Sequence, residues 1–347
     1  MSSVPRAPGV TVAICCYNSA SRLPETLRHL ARQSNPRGIP WEVLVVDNAS
    51  TDGTGEVALA LWKEVGIAPL RVVDERRSGL QHARECARRN ARFEILSLVD
   101  DDNWVCESWI DAAAAVMSER RDVAACSGPS EAVCEVGPPA WFARYAGCYA
   151  VGSQWARDPA LAEERPTVWG AGMTLRLAVW DRLCQAGYRS LLTDRLGQSL
   201  ASGGDSELCL AFRLAGWKSY YDPRLRLRHF VPAQRLEWSY LRRLYRGFGA
   251  SITDPYWFAL GEGVGNCPEY KQRWSWVFAR QLWNWLRARR RLFLSGLRSP
   301  VADDERVLHL ESQTGRLGAL WRQRATYDAA VRSVKTASWS QSCKPGA

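Results

Sequence analysis

Three consecutive carboxylates, Asp100-Asp101-Asp102, follow an apolar run at 95–99. Adjacent carboxylates repel one another, and the end of a buried strand has no packing use for them. Hard divalent cations take oxygen ligands, and Mg2+ or Mn2+ commonly joins one or two carboxylates to the phosphates of a substrate. A solvated turn or a helix cap is the plainer reading of such a triplet. Asp47 argues against it, because it ends another apolar run, 42–46, and Tyr17-Asn18 ends a third, 10–16. Polar groups thus recur at the same place in successive units.

Alternating strands and helices must hold these run-ends. Leu23, Leu27, Leu30 and Ala31 recur at helical spacing after the first run, and Pro40 breaks the chain before the second. Thr51-Asp52-Gly53 opens a helix reaching about Gly66. A strand at 70–73, a helix at 80–91 and a strand at 93–99 complete the series. This alternation predicts βαβ units and a parallel sheet, with ligands bound beyond the carboxyl ends of the strands. From 127 to 165 the pattern loosens into a long irregular segment over an active site, or a small subdomain. Regularity returns at 167–175, with helices at 177–186 and 206–215. An extended stretch at 218–221 precedes a last strand through Leu227 and His229. Pro232 marks the expected edge of a catalytic domain spanning 10–232, and 233–347 reads as a helical appendage rich in Arg and Trp.

Composition narrows the class. At 347 residues, 46% apolar and 24% charged, the chain can build a substantial core. It has no 18-residue apolar run for a spanning helix, and residues 1–9 lack the apolar stretch of a secretory leader. Eleven cysteines, without any Cys-x-x-Cys pair, fit neither a disulfide framework nor structural zinc. They read as buried thiols in a reducing cytoplasm.

The net charge of +10 is concentrated. Lys271, Arg273, Arg280, Arg287, Arg289, Arg290, Arg291 and Arg298 fall in 271–298 without one acid. Trp274, Phe278, Leu282, Trp285 and Leu292 approximate one helical face there, interrupted by Arg289. A basic, aromatic helix suits an anionic membrane surface, which would make the protein peripheral on the inner face of the membrane. The alternative is a helix packed on the catalytic domain with an arginine-rich outer side. No nucleic acid is expected, since Arg–aromatic interleaving alone does not call for it.

The segments 10–18, 45–54 and 99–103 resemble family 2 glycosyltransferases of the GT-A fold. So do Gly79-Leu80, Ala83-Arg84, Gly203-Gly204-Asp205-Ser206-Glu207 and Leu227-Arg228-His229-Phe230, so that the resemblance runs in order over roughly 10–250. It implies an α/β, GT-A-type nucleotide-diphospho-sugar transferase fold, with a mainly parallel central sheet flanked by helices. The implied activity is inverting, non-processive, metal-assisted transfer of a sugar to a hydroxyl of a glycan or lipid-linked acceptor. Tyr17, Asn18, Asp47, Arg84, Asp100 and Asp101 map to the nucleotide. Asp47 would accept a hydrogen bond from the base, which suits a UDP-sugar donor. Asp102 and His229 map to the ligands of Mn2+ or Mg2+, and Asp205 to the general base. Trp169, Gly170 and Glu207 map to the sugar and acceptor pocket. The sequence reads Gly-Gly-Asp where Gly-Glu-Asp is more usual, a departure at Gly204 that leaves the Asp intact.

Plainer roles compete at several positions: a core histidine for His229, a solvated helix arginine for Arg84, a helix N-cap for Asp205, a core residue for Trp169. A Gly-x-x-x-x-Gly-Lys-Ser/Thr loop is missing, which argues against an ATPase. No Gln-x-x-Arg-Trp element follows His229, which favours single additions. The rival functions are a sugar-nucleotide nucleotidyltransferase and a non-catalytic membrane-associated scaffold of the same fold.

Overall fold

The computed structural model describes residues 6–154, 158, 160–195, 197, 200–296 and 304–343. The N-terminal part alternates β1 (Ala7–Cys16), α1 (Leu23–Ala31), β2 (Trp41–Asp47), α2 (Thr54–Val65), β3 (Leu70–Asp74), α3 (Leu80–Asn90) and β4 (Phe93–Val99). Next come β5 (Asn103–Val105), α4 (Trp109–Glu119), β6 (Val123–Ser127), β7 (Ser130–Cys134), α5 (Phe142–Tyr145) and β8 (Glu163–Arg165). Then β9 (Met173–Arg176), α6 (Leu177–Gln185), α7 (Gly204–Leu214), β10 (Lys218–Tyr221) and β11 (Leu227–Val231) complete the sheets. The rest is helical: α8 (Trp238–Ala250), α9 (Asp254–Leu260), α10 (Trp274–Gly296), α11 (Glu305–Arg322), α12 (Tyr327–Lys335) and α13 (Trp339–Ser342).

Eight strands form the central sheet in the order β3-β2-β1-β4-β9-β6-β10-β8. The first four are mutually parallel, and β10 is parallel to β6; β9 runs antiparallel to both β4 and β6, and β8 antiparallel to β10. Strand alternation builds two cores. Val10, Val12 and Ile14 of β1 join Val43 and Val45 of β2 on one face, covered by α1, α2 and α4. Ala13, Leu44 and Val46 point to the other, covered by α3, α6 and α7. Burial of both faces is what continuous apolar runs in parallel strands require.

A second sheet, β5-β11-β7, was not evident in the sequence. Its register sets His229 of β11 opposite Asn103 of β5, and the Phe230 N–H donates to the Asp102 carbonyl at 2.9 Å. The last strand is thereby fixed against the carboxylate triplet.

Pro232 marks a change of secondary structure, not a break in packing. Phe142, Tyr145 and Tyr149 share a core with Leu236, Tyr240, Leu244 and Leu308, while Tyr256, Val334 and Trp339 pack into the core under α6 and α7. Helices α8 and α11 cross at glycines, where a Cβ on Gly249 would lie 1.9 Å from the Ser312 carbonyl oxygen and one on Gly315 1.9 Å from that of Arg246. Glu311 of α11 accepts from both Arg242 and Arg246 of α8.

Helix α10 corrects the expected apolar face. Trp274 and Trp285 turn toward α11, donating their indole N–H groups to the Leu320 carbonyl and the Thr314 hydroxyl. Phe278 stacks on Trp274, and Leu292 is half-buried. Of the five residues assigned to that face only Leu282 is exposed. The seam is used for packing because a long basic helix needs an apolar stripe to dock at all. Arg298 lies outside the described residues. Among the described residues no helix is long and apolar enough to cross a membrane.

Gly249→Leu should force the helices apart and lower stability by about 1–3 kcal/mol or more. Gly137→Ala, at a glycine with nothing within 4 Å of its added Cβ, should stay within about 0.5 kcal/mol. Urea denaturation of the two variants checks the pair, and equal stability would refute the close crossing.

Candidate active site

A cavity of about 850 Å³ opens beyond the carboxyl ends of β1 and β4. The strand order β2-β1-β4 reverses direction there, which is where open α/β sheets bind ligands. Its wall includes Tyr17, Asn48, Gly79, Arg84, Asp205, His229 and all three carboxylates of the triplet. An aromatic set, Tyr149, Tyr240, Tyr245 and Phe248, shares the same cavity.

The three carboxylates have different partners. Asp101 accepts from Arg22 at 2.6 Å and from the Ser19 hydroxyl. Asp102 is buried; its Oδ2 accepts from Arg235 at 2.9 Å, while its Oδ1 lies 3.4 Å from His229 Nε2. Burial works against the Asp102 charge, but His229 and Arg235 outweigh it and hold the carboxyl well below its usual range. Asp100 goes the other way. Burial first and the Asp102 charge second raise its pKa, partly relieved by Arg84.

His229 is not a satisfied core histidine. Its Nδ1 is buried and has no hydrogen-bond partner among the described residues, and its Nε2 faces Asp102. Two ligands of one small cation, each about 2.1 Å from it, stand roughly 3 Å apart, so this pair fits a cation with little adjustment. No group of three or more His, Cys, Asp or Glu side chains able to hold a metal exists among the described residues. Other ligands would have to come from substrate oxygens and water.

Arg84 is not a solvated helix residue either. It is buried and donates to Asp194 at 2.7 Å. Burial opposes its charge, but Asp194, Asp205 and Asp100 hold its pKa above the normal value. Asp205 lies inside the first turn of α7, with Gly203 at the cap position, so it is not an N-cap. Its Oδ2 accepts from the Gly170 N–H and its Oδ1 from the Ser206 N–H, both at 2.7 Å. Close approach depends on two glycines. A Cβ on Gly170 would lie 2.8 Å from Arg84 Nη2 and 3.2 Å from Asp205 Oδ2, and one on Gly204 2.7 Å from Asp194 Oδ2. Glycine at position 204, the departure from the commoner motif, leaves room for the Arg84–Asp194 pair.

Three expected site residues stand outside the cavity wall. Asn18, at φ +48°, accepts from the Thr51 N–H at 2.8 Å and ties the β1–α1 turn to the β2–α2 turn. Asp47 Oδ1 accepts from the Ser50 N–H at 3.0 Å, and the neighbouring Asn48 lines the cavity instead. Glu207 is buried on the far side of its helix. It accepts from the Leu191 N–H, the Leu192 N–H, the Ser190 hydroxyl and the Tyr256 hydroxyl, and so anchors the segment that carries Asp194. Helical spacing explains this, since positions 205 and 207 are about 200° apart on a helix. Trp169 and Gly170 line the cavity.

Sequence reasoning missed Arg235, Asp194 and Gln154. Gln154 accepts from the Trp169 N–H and donates to the Thr167 carbonyl, pinning the irregular segment to the 167–170 strip. None of the three lies in a motif or repeats a periodicity. A basic residue shortly after the last strand was the only available hint of Arg235.

Residues 11–142 match the model of glycosyl transferase family 2. The α/β architecture expected from the motifs, a mainly parallel central sheet flanked by helices, is the one observed. Glycosyltransferase AglE of Haloferax volcanii is 31% identical over 111 residues, covering 32% of this chain and 36% of the relative. Glycosyltransferase GlyG of Streptococcus pneumoniae is 27% identical over 112 residues, again 32% and 36%. The matches thus span little more than a third of these curated relatives. Among solved structures, mannosyltransferase PcManGT from Pyrobaculum calidifontis, in complex with GDP-Man and Mn2+, overlays 95% of this chain and 76% of its own, at 21% identity and a TM-score of 0.49. S. aureus TarS in complex with UDP overlays 92% and 91%, at 16% identity and a TM-score of 0.47.

Glu207→Ala should orphan buried donors at about 1–3 kcal/mol each and lower the melting temperature, with nucleotide affinity of the folded protein unchanged. A stable variant that had lost only sugar affinity would return Glu207 to the pocket.

Proposed function

We propose that this protein is a metal-assisted, inverting glycosyltransferase that moves one sugar from a nucleotide-diphosphate donor to an acceptor hydroxyl. The observation that carries the reading is the shared cavity of the Asp102–His229 pair and the backbone-anchored carboxylate of Asp205. Asp102 and His229 are the residues that would hold Mn2+ or Mg2+. A cation there supplies Lewis-acid stabilisation to the departing diphosphate. Arg235, already paired to Asp102, adds a fixed positive charge to the same wall.

Asp205 is assigned as general base. Its two oxygens are oriented by backbone N–H groups, and each retains a lone pair for the acceptor. The acceptor oxygen attacks the anomeric carbon, the bond from that carbon to the diphosphate oxygen breaks, and the acceptor proton passes to Asp205. One displacement inverts the anomeric configuration. Arg84, fixed by its buried pair with Asp194, sets a positive charge near Asp205; Gly170 gives clearance to Arg84 and Asp205, and Gly204 to Asp194.

Tyr17 and Asn48 are placed beside the nucleoside, with Asp100 and Asp101 on its metal side. Asp47 Oδ2 has no donor among the described residues, so it suits the imino N–H of uracil and favours a UDP-sugar. Trp169 with Tyr149, Tyr240 and Tyr245 gives flat, amphipathic faces suited to sugar rings, which points to a glycan or glycolipid acceptor.

Incubation with a panel of UDP- and GDP-sugars should release the nucleoside diphosphate slowly by hydrolysis, and only with Mn2+ or Mg2+ present. Asp205→Asn should lower that rate about 10²–10⁴-fold with donor affinity essentially kept. Pyrophosphate release from a nucleoside triphosphate would instead make the protein a nucleotidyltransferase. No turnover of any donor would favour the scaffold.

A further inference from the structure

Helix α10 has a second face, pointing away from its packing seam. Leu282, Trp283, Leu286, Phe293 and Leu294 are exposed there, Trp283 by 61% and Phe293 by 68%. At 100° per residue, Leu282, Leu286 and Phe293 fall within about 40° of one another, with Trp283 and Leu294 beside them. The stripe is roughly 18 Å long.

Charge surrounds it. Arg280, Arg287, Arg289, Arg290 and Arg291 are all exposed, and Arg290 rises inside the apolar stripe. Arg287, Arg290 and Arg291 have no ion-pair partner among the described residues, and the sequence from 271 to 298 contains no acid. Large exposed side chains arranged this way cost solubility, so the face has a partner.

We infer that the outer face of α10 docks on an anionic lipid bilayer, lying in the plane of the interface. The chemistry selects that occupant. A second copy of the chain would oppose five arginines to five arginines across a two-fold axis. A nucleic acid would satisfy the arginines but leave Leu286 and Phe293 without apolar contact. An acidic bilayer answers both, with acyl chains for the apolar groups and phosphates for the guanidinium groups. The helix lies on the membrane and does not cross it.

Co-sedimentation of the full chain with vesicles of phosphatidylglycerol and phosphatidylcholine, against phosphatidylcholine alone, tests this. Binding should require the anionic lipid and weaken in high salt. Arg287→Gln with Arg290→Gln should lower partitioning about twenty-five-fold. Trp283→Ser with Phe293→Ser should lower it at least about ten-fold, with melting temperature and Mn2+-dependent donor hydrolysis in solution unchanged. Equal binding to neutral vesicles, or none to either, would overturn the inference. Self-association or oligonucleotide binding that is lost in these variants, without vesicle binding, would overturn it equally.

Discussion

Everything around the site answers one electrostatic demand: three successive carboxylates leave the end of a buried strand and cannot all stay charged unaided. Removing a carboxylate from water costs several kcal/mol unless opposite charge and hydrogen bonds replace the solvent. The chain meets that demand with a separate partner for each. Arg22, just ahead of α1, takes Asp101; Arg84 of α3 relieves Asp100; His229 and Arg235 from the far end of the sheet domain take Asp102. Strands β5 and β11 pair in the register that makes the last of these possible.

The same demand explains the division of labour within the triplet. Asp101 is held by an arginine and a serine and works as a clamp between β4 and α1. Asp102 is kept ionised and has one oxygen facing a histidine with an unpartnered ring nitrogen. A carboxylate oxygen beside the Nε2 of an imidazole is a pair of ligand atoms that one cation can bridge. Across the cavity, Arg84 performs a comparable service for Asp194 and Asp205, and Gly170 and Gly204 supply the clearance.

Much of this was legible in the sequence, for identifiable reasons. Strands β1, β2 and β4 declared themselves because both faces of the sheet are buried there, which writes continuous apolar runs. The carboxylates at 100–102 stood out because they follow the end of a strand, whereas Asp205, in the first turn of α7, and His229, inside β11, were marked only by the resemblance of their motifs. Asn18 and Asp47 stand outside the cavity wall and make turn hydrogen bonds, which use the same residue types as ligand binding. Glu207 lies on the far side of α7 from Asp205, because positions two apart on a helix are about 200° from one another. Arg235, Asp194 and Gln154 act through contacts 13 to 133 residues away in sequence, which no local pattern records. The face of α10 was assigned to the wrong side because both of its faces carry aromatic residues, and only the position of α11 tells them apart.

The central claim is that Asp102 and His229 form a cation-dependent donor site. Calorimetric titration with UDP, GDP and ADP, with and without Mn2+, tests it most directly in the wild type and in Asp102→Asn. The account predicts that one diphosphate binds only when Mn2+ is present, and that the substitution weakens this binding at least about ten-fold, as loss of a metal ligand should. Binding that ignores both the metal and the substitution, or no binding of any diphosphate, would contradict it.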